Sequence, residues 1–431
     1  MLTYPLFSEF RTGKSFEKHI LRMGHGMTKI RKKILQVAVF LDPLTGAIQE
    51  ILYGIHRYMK LYGPQELHLV RGNVAVFREE ISRKSRGRPL ISGILAHVPN
   101  REIEEIIGET TIPTVLIDPC PSYLEVSHPL FRTPSVLLDN EKIADMAADF
   151  FLRMKMPYYA FVPSVPDGDW SQTRLAFYSK ALAAKGHNVH VFRPSPPNQS
   201  PENKKLAQWL SQLPKPAAIL VPSDVTGRRV LQVCHDSKIV VPYEVAVLGI
   251  GNDVAMCDSC FPSLSSIAVH SQRAGFVAAE LLDQLMNRVT PLAKTITYDP
   301  TEVVPRDSTN LPPDMRKSQT GQSSGYVIRA LEFIRINNGC MIQVEEVAKH
   351  VGVSRQWLEK QFKNDMGHSL HGEIHRHKMS RICSLLTETE TPINQIAEMS
   401  GFENANHLRI IFKKEFGMTM TEYRQQRVGM R

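Results

Sequence analysis

A near-repeat at the C-terminal end of the chain constrains its fold more than any other feature. At a spacing of 50 residues the two copies share a helix-capping residue, a leucine, a Phe-Lys pair and a glycine: Ser354/Asn404, Leu358/Leu408, Phe362/Phe412, Lys363/Lys413 and Gly367/Gly417. At a spacing of 49 they share three apolar residues and an earlier glycine: Val344/Ile393, Val347/Ile396, Ala348/Ala397 and Gly352/Gly401. The repeat therefore duplicates a structural unit, with one residue inserted after the earlier glycine of the second copy.

Each copy predicts a short apolar helix, a tight turn at its glycine and a second helix. In the first copy Leu358 and Phe362 are four residues apart, so they share one helical face that packs on the preceding helix. This order is typical of the helix-turn-helix motif, whose second helix enters the DNA major groove. A helical hairpin with a solvated charged face would explain one copy alone, but two matched copies favour two recognition helices. A long helix over residues 370–387 is predicted to join them.

The face of each second helix opposite its apolar residues carries side chains suited to DNA. In the first copy the candidate DNA-binding residues are Ser354, Arg355, Gln356, Lys360 and Lys363. In the second copy they are Asn404, Asn406, His407, Arg409 and Lys413. Arg, Gln and Asn form paired hydrogen bonds with base edges, whereas Lys mostly contacts phosphate. A double-stranded DNA operator is therefore the predicted partner.

Residues 326–427 resemble the DNA-binding domain of the AraC/XylS family of bacterial transcription regulators. The resemblance is carried by the segments VGVS (351–354), LEKQFK (358–363), IAEMSGF (396–402), FKKEFG (412–417) and TMTEYR (419–424). It implies an all-α domain with two helix-turn-helix motifs. For an activator of this family it also implies contact with RNA polymerase.

The middle of the chain alternates apolar strands with helical segments. The predicted strands cover residues 34–41, 93–96, 114–117, 135–138, 158–162, 189–192, 217–221 and 245–249, and the predicted helices include 47–61, 140–154, 172–185, 203–212 and 227–237. Apolar strands separated by helices indicate parallel sheets that are covered on both faces. About 270 residues are too many for one such sheet, so we expect a two-lobed α/β domain.

Ligands of open α/β sheets bind beyond the carboxyl ends of the strands, where this chain carries many polar residues. The candidate ligand-binding residues are Asp139, Asn140, Trp170, Arg174, Asp224, Asn252 and Asp253. Carboxylates and amides at such a cleft suit a polyol, because each can bind two hydroxyl groups. For Asp139 and Asp224 the alternative is a helix N-cap, which is the usual role of an Asp that follows a strand.

The middle segment resembles the sugar-sensing domain of LacI-type repressors, which is itself similar to periplasmic sugar-binding proteins. The resemblance is carried by residues 136–140, 170–177, 219–224, 242–249 and 263–267. It implies that Arg174, Asp224 and the loop 251–253 contact the ligand. A sensor of this type followed by an AraC-type domain is the layout of XylR-like transcription regulators, which control genes for xylose use.

Two functions remain open from the sequence. The first is a ligand-controlled regulator, in which a sugar closes the two lobes and reorients the DNA-binding domains of a homodimer, as an activator of xylose-like sugar use. The second is a DNA-binding regulator whose sensor domain no longer binds a small molecule and acts as a dimerisation scaffold. The second remains open because Gly251 stands where the LacI-type family usually has an Asp.

Composition and the spacing of motif residues argue against a membrane protein, an enzyme and a metal-binding protein. The formal charge is +9, but residues 35–320 are neutral and the positive charge lies at the two ends. No long apolar stretch or signal peptide precedes the first strand, so we expect a cytoplasmic protein without a membrane contact. No nucleophile elbow, phosphate-binding loop or paired-acid motif is present, so we expect no enzyme and no cofactor. Cys257 and Cys260 have no second pair, and His371 and His375 do not form HExxH, so no metal is predicted.

The expected organisation has four parts. They are a basic extension at 1–33, the two-lobed sensor at 34–309, a Pro-, Gly- and Ser-rich linker at 310–325, and the double helix-turn-helix domain at 326–431. The basic extension is either a disordered arm or the result of a start assigned too early, with translation beginning at Met23 or Met27.

Overall fold

The structure is a computed structural model. It describes residues 34–41, 46–63, 65–71, 73–85, 87–98, 101–164, 169–194, 202–289, 291, 294–311, 325–337, 342–402 and 404–428. The basic extension and most of the predicted linker lie outside these residues.

The first lobe is built on a parallel six-stranded sheet with the order β13-β7-β6-β5-β1-β2. Its strands are β1 (Leu35–Leu41), β2 (Gln65–Arg71), β5 (Gly93–Ala96), β6 (Thr114–Ile117), β7 (Ser135–Leu138) and β13 (Thr295–Tyr298). A short antiparallel pair, β3 (Lys84–Ser85) and β4 (Arg88–Pro89), lies outside it. The central strands are buried along their whole length, as predicted for a sheet that helices cover on both faces.

The second lobe has its own six-stranded sheet with the order β14-β12-β11-β10-β8-β9. Its strands are β8 (Tyr158–Phe161), β9 (Val189–Val191), β10 (Ala217–Leu220), β11 (Val245–Gly251), β12 (Ser265–Val269) and β14 (Pro300–Val304). All neighbours are parallel except β12 and β14, which pair antiparallel with an irregular register at Ile267–Val269. The two sheets confirm the predicted two-lobed α/β fold, although the antiparallel edge strand β14 makes the second sheet mixed rather than wholly parallel.

Helices cover both sheets. They are α1 (Gly46–Tyr62), α2 (Val74–Ser82), α3 (Arg101–Glu109), α4 (Asn140–Arg153), α5 (Asp169–Ala183), α6 (Glu202–Gln212), α7 (Asp224–Asp236), α8 (Val254–Ser259) and α9 (Ser271–Met286). On the first lobe, α1 and α9 approach each other closely at two glycines. A Cβ on Gly54 would lie 1.9 Å from the carbonyl oxygen of Gln272, and one on Gly275 would lie 1.9 Å from that of Ile51. Only glycine at these positions allows the two backbones to come so near.

Three chain segments connect the lobes and lie side by side. The chain leaves the first lobe after β7, returns to it before α9 and crosses again between β13 and β14. The amide of Asp139 donates to the carbonyl of Tyr298 (2.9 Å), and the amide of His270 donates to that of Asp299 (3.1 Å). These bonds tie the three crossings into one hinge.

From residue 325 onward, the described residues form helices joined by short turns. The helices of this C-terminal region are α10 (Gly325–Ile336), α11 (Val344–Val351), α12 (Arg355–Met366), α13 (Leu370–Glu388), α14 (Ile393–Met399), α15 (Ala405–Phe416) and α16 (Met420–Val428). The long joining helix α13 was predicted at 370–387 and is confirmed. No helix in the described part of the chain has the length and apolar character needed to cross a membrane.

The first helix of this region contacts the second lobe. The guanidinium of Arg335 in α10 lies 4.7 Å from the ring centre of Phe261, between α8 and β12. Tyr243, just before β11, is buried nearby, and the charges of Glu373, Arg376 and Arg335 act on its hydroxyl. Burial, reinforced by Glu373, raises the pKa of Tyr243. The lobe and the helical region therefore touch through aromatic and charged side chains.

Candidate DNA-reading surface and interlobe site

The first helix-turn-helix motif is formed by α11 and α12. Helix α11 ends at Gly352, whose φ of 82° lies in the left-handed region. Ser354 then caps α12, because its hydroxyl accepts a hydrogen bond from the amide of Trp357. Leu358 and Phe362 are fully buried, as the predicted apolar face requires.

The second motif repeats this geometry in α14 and α15. The turn contains Gly401 with a φ of 72°. Asn404 caps α15, and its side-chain oxygen accepts from the amide of Asn406 at 2.8 Å. Leu408 and Phe412 are fully buried, matching their counterparts 50 residues earlier. The two copies thus have the same fold, as the repeat predicted.

All ten predicted DNA-binding side chains are exposed. They are Ser354, Arg355, Gln356, Lys360 and Lys363 of the first motif, and Asn404, Asn406, His407, Arg409 and Lys413 of the second. Ser354 and Asn404 also serve as N-caps, so part of their hydrogen-bonding capacity is used within the protein. The other eight can present their polar ends to a groove.

The arginines of the two recognition helices have different partners. Arg355 forms ion pairs with Glu345 of α11 and with Glu359 one turn along its own helix. Arg409 donates instead to two amide oxygens, those of Asn406 (2.7 Å) and Asn394 (3.1 Å). The sequence predicted both arginines as DNA contacts but not these partners.

A buried carboxylate links the turn after the recognition helix of the first motif to the joining helix. Glu373 is fully buried in α13, and it accepts from His368 (2.8 Å) and from Arg376 (2.5 Å). The Nε2 of His377 lies 3.3 Å from a carboxylate oxygen of Glu373. Burial alone would raise the pKa of Glu373, but these partners together lower it to about 2.

Arg174 of α5 lies between the two lobes. Its Nε donates to Asn140 at 3.1 Å, one of its terminal nitrogens donates to the carbonyl of Pro222, and its guanidinium stacks 5.1 Å from the ring centre of Trp170. Burial lowers the pKa of Arg174, and the charge of Asp118 opposes this. The structure thus brings together three of the predicted ligand-binding residues, Asn140, Trp170 and Arg174.

Asp118 and Tyr298 complete this cluster from the first lobe. Asp118 follows β6 and accepts hydrogen bonds from the hydroxyl of Tyr298 (2.5 Å) and the amide of Leu138 (2.8 Å). Burial raises the pKa of both side chains, although the hydrogen bond from Tyr298 favours ionised Asp118. Asp118 stands at a strand end in the sequence, whereas no pattern in the sequence identifies Tyr298.

Asp224 is not the helix N-cap that the alternative interpretation assigned to it, because Ser223 caps α7. Its carboxylate is buried and accepts from the hydroxyl of Ser266 (2.5 Å) and the amide of Asp253 (2.8 Å). Burial raises its pKa. One oxygen therefore holds the loop that follows β11 directly, and the other holds Ser266 of β12, whose hydroxyl accepts from the amide of Asn252 in that loop (3.0 Å).

The loop after β11 brings Gly251, Asn252 and Asp253 into different environments. Gly251 has a φ of 126°, and a Cβ there would lie 3.1 Å from a carboxylate oxygen of Asp224. Asn252 accepts from Arg306 at 3.0 Å, which turns its side chain to the second lobe. Asp253 caps α8, and its other oxygen accepts from the amide of Gly46 (2.8 Å), so it links this loop to α1 of the first lobe.

Asp139 behaves as the alternative interpretation expected. Its side chain accepts from the amide of Lys142 (3.0 Å) and caps α4, beside the hinge. Lys142 pairs with Asp299 at 2.7 Å, on the same surface.

Among the described residues, no three His, Cys, Asp or Glu side chains are grouped as metal ligands would be.

Two family models match the chain. Residues 148–309 match a periplasmic binding protein-like domain, and residues 347–426 match a helix-turn-helix domain. The first match covers the second lobe and the returning segment of the first, and the second covers both motifs described above. Both resemblances inferred from the sequence are confirmed.

Related proteins share both regions. The xylose operon regulatory protein of Haemophilus influenzae is 31% identical over 340 residues, which cover 78% of this chain and 85% of the relative. That of Escherichia coli (strain K12) is 30% identical over 341 residues, covering 77% and 83%. The solved structure of the xylose-binding transcription activator XylR superimposes with a TM-score of 0.75 and 25% identity, covering 92% of this chain and 99% of that one.

The domain architecture of the structure therefore agrees with the similarity to known proteins. The chain joins a periplasmic-binding-protein-like sensor domain to an AraC-type DNA-binding domain, and both parts align with the same relatives. The chain belongs to the family of xylose operon regulatory proteins, which are DNA-binding transcription regulators.

Proposed function

We propose that the protein activates genes for the use of xylose or a similar sugar, and that the sugar binds between the two lobes. It acts as a cytoplasmic homodimer on a double-stranded DNA operator, where it contacts RNA polymerase. The names of its relatives, which refer to xylose operons and to xylose binding, support this proposal. We also propose that the sensor domain spans residues 34–309, the linker residues 310–325 and the DNA-binding domain residues 326–431.

DNA reading is supported by one observation above all. Both recognition helices keep an apolar face buried while their predicted DNA-binding side chains are exposed. A helix that only faces solvent would not require the cap, the turn glycine and the buried Leu-Phe pair to be repeated in a second copy. We infer that α12 and α15 enter successive major grooves, as paired helix-turn-helix units do.

Replacing Arg355 with Ala is expected to weaken binding to the selected operator by about 1–3 kcal/mol and to relax the preference at one base pair, because a paired contact with a base edge is lost. Replacing Lys363 with Ala is expected to weaken binding to all sequences alike, because Lys contacts phosphate. Fluorescence anisotropy at fixed salt, on duplexes selected from a random pool, measures both effects.

Lys60→Ala is the control for these variants, since it removes one exposed charge from α1 of the first lobe. It is expected to leave operator binding unchanged. Unchanged affinity and base preference in Arg355→Ala would show that α12 does not read the groove there.

The proposed sugar site is the cluster between the lobes. Arg174 and Asn140 offer a donor and an amide, Asp118 offers a carboxylate, and Trp170 offers an exposed apolar face for a sugar ring. Asp253 joins the loop after β11 to α1 across the cleft, so it supports closure of the lobes. Asp139 and Asp224 support the hinge and the loop instead, and Asn252 is held by Arg306.

Arg174→Ala is expected to lower affinity for D-xylose at least tenfold, because hydrogen bonds to a charged group contribute about 1.5–3 kcal/mol. Isothermal titration calorimetry on the full chain measures it, and circular dichroism checks that the variant is folded. Lys180→Ala on the same helix, where Lys180 pairs with Glu141 on the surface, is the matched control. Equal affinity in Arg174→Ala and Lys180→Ala would exclude this cluster as the sugar site.

A second function, a regulator whose sensor domain serves only for dimerisation, is favoured by one observation. The oxygens of Asp224 are already bound by Ser266 and Asp253, and Gly251 brings no carboxylate of its own. This function predicts that no pentose, hexose or sugar acid gives heat in the same titration or raises the melting temperature. A ligand at 100 times its dissociation constant would add about 2.7 kcal/mol of stability.

A further inference from the structure

The second residue of the first helix holds an arginine of the recognition helix in both motifs. Glu345 and Asn394 occupy corresponding positions in the 49-residue repeat. Glu345 pairs with Arg355, and Asn394 accepts from Arg409 at 3.1 Å. The same structural position therefore fixes an arginine twice, once through a carboxylate and once through an amide.

The chemical difference between the two arrangements is large. In the first motif Glu345 and Glu359 surround one guanidinium, so these three side chains together carry one net negative charge. In the second motif Arg409 keeps its full positive charge, because its partners are neutral amides. The negative charge of the three side chains in the first motif offsets part of the attraction that Lys360 and Lys363 of α12 exert on phosphate.

The two ion pairs of Arg355 restrict the orientation of its guanidinium but use only some of its N–H donors. An Arg side chain has five N–H donors in a planar fork, and the bonds to Glu345 and Glu359 account for two of them. An arginine fixed in this way retains donors for the O6 and N7 acceptors of guanine. A neighbouring carboxylate is the group that accepts from the N4 amino group of the paired cytosine.

We propose that Glu345 and Glu359 are specificity-determining residues of the first motif, where they hold Arg355 for one G·C pair and Glu359 accepts from its cytosine. The proposal rests on the DNA reading proposed for Arg355. The first motif then contributes selectivity, and the second contributes a larger share of sequence-independent attraction.

The test uses the full chain, a duplex selected by it from a randomised pool, and an unrelated duplex of equal length at the same salt concentration. Glu345→Gln removes the charge but keeps the size of the side chain. It is expected to bind the unrelated duplex more tightly and the selected duplex no more tightly. The ratio of the two affinities is expected to fall roughly five- to tenfold, which is the lower part of what one paired base contact supplies.

Repeating the pool selection with Glu345→Gln identifies the base pair. A strong preference for G·C at one position is expected to weaken there and to stay unchanged elsewhere, and Glu345→Asp is expected to restore it in part. Glu359→Gln is expected to admit other bases opposite the guanine. Glu390→Gln, at an exposed site after α13, makes the same change in net charge and is expected to leave the ratio unaltered.

Two results would overturn the proposal. Equal gains in affinity for both duplexes would show that Glu345 only repels phosphate. Unaltered selection in Glu345→Gln and Glu359→Gln would show that the ion pairs are surface contacts without a role in specificity. Failure of Arg355→Ala to change selection is a separate outcome, and it would reject the groove assignment itself.

Discussion

Replacing Gly275 with Ala is expected to destabilise the first lobe by about 3 kcal/mol or more. The added methyl group would lie 1.9 Å from the carbonyl oxygen of Ile51, which is backbone and cannot rotate away. Overpacking a core typically costs 1–3 kcal/mol, and separating two closely packed helices is at the upper end of that range. The melting temperature, measured by differential scanning calorimetry, reports the effect.

Gly108→Ala provides a control with the opposite expected sign. Gly108 lies in α3, and a Cβ there meets no atom within 4 Å. Alanine is favoured over glycine inside a helix by about 1 kcal/mol, so this variant is expected to be slightly more stable. Equal stability of Gly275→Ala and the unmodified chain would show that α1 and α9 can separate without cost.

Glu373→Ala is expected to destabilise the first helix-turn-helix unit by about 3 kcal/mol. The substitution removes a buried carboxylate and leaves Arg376, His368 and His377 without their common partner. Amide hydrogen exchange of α12 and α13 measures the change, because it follows this unit separately from the sensor. Glu388→Ala, at the exposed end of the same helix, is expected to change protection very little.

The same carboxylate predicts a pH dependence. The pKa of Glu373 is about 2 in the folded chain, below its ordinary value of 4.5. A lowered folded pKa means that its stabilisation is fully present above about pH 4.5 and is lost as the pH falls towards 2. The difference in protection between the unmodified chain and Glu373→Gln should therefore shrink between pH 5 and pH 3, while a constant difference would contradict the assignment.

Five of the seven helices described in the C-terminal region, α11 to α15, could be predicted because the sequence repeats its own landmarks, whereas α10 and α16 lie outside the repeat. Capping residues, turn glycines and Leu-Phe pairs are local features, and each fixes one boundary. The partners of Arg355 and Arg409 were not predicted, because they depend on the approach of two helices rather than on spacing within one.

The two lobes were predicted less fully. Every predicted strand is present, but β2, β3, β4, β12, β13 and β14 were missed. Thr295–Tyr298 and Pro300–Val304 are edge strands with exposed polar residues, so they lack the apolar run that identified the buried strands. These segments are strands because they pair with β7 and β12, and the local sequence does not specify that pairing.

The cluster between the lobes could also be predicted only in part from the sequence. Of the residues predicted near strand ends, Asn140 and Trp170 lie beside Arg174, because parallel strands bring their carboxyl ends to one edge. Tyr298 was missed because its contact with Asp118 joins residues far apart in the chain. The contact of Asp224 with the loop that follows β11 likewise joins residues far apart in the chain, so the local sequence does not specify it.

The return of the chain to the first lobe has a consequence for biosynthesis. A nascent chain that ends after β7 contains five of the six strands of the first sheet, but α9 and β13 are still untranslated. At 5–20 residues per second the ribosome needs roughly 8 to 30 s to reach β13. The groove of α1 around Gly54 stays uncovered during that interval, so both lobes reach completion together, near residue 304, although one begins more than a hundred residues before the other.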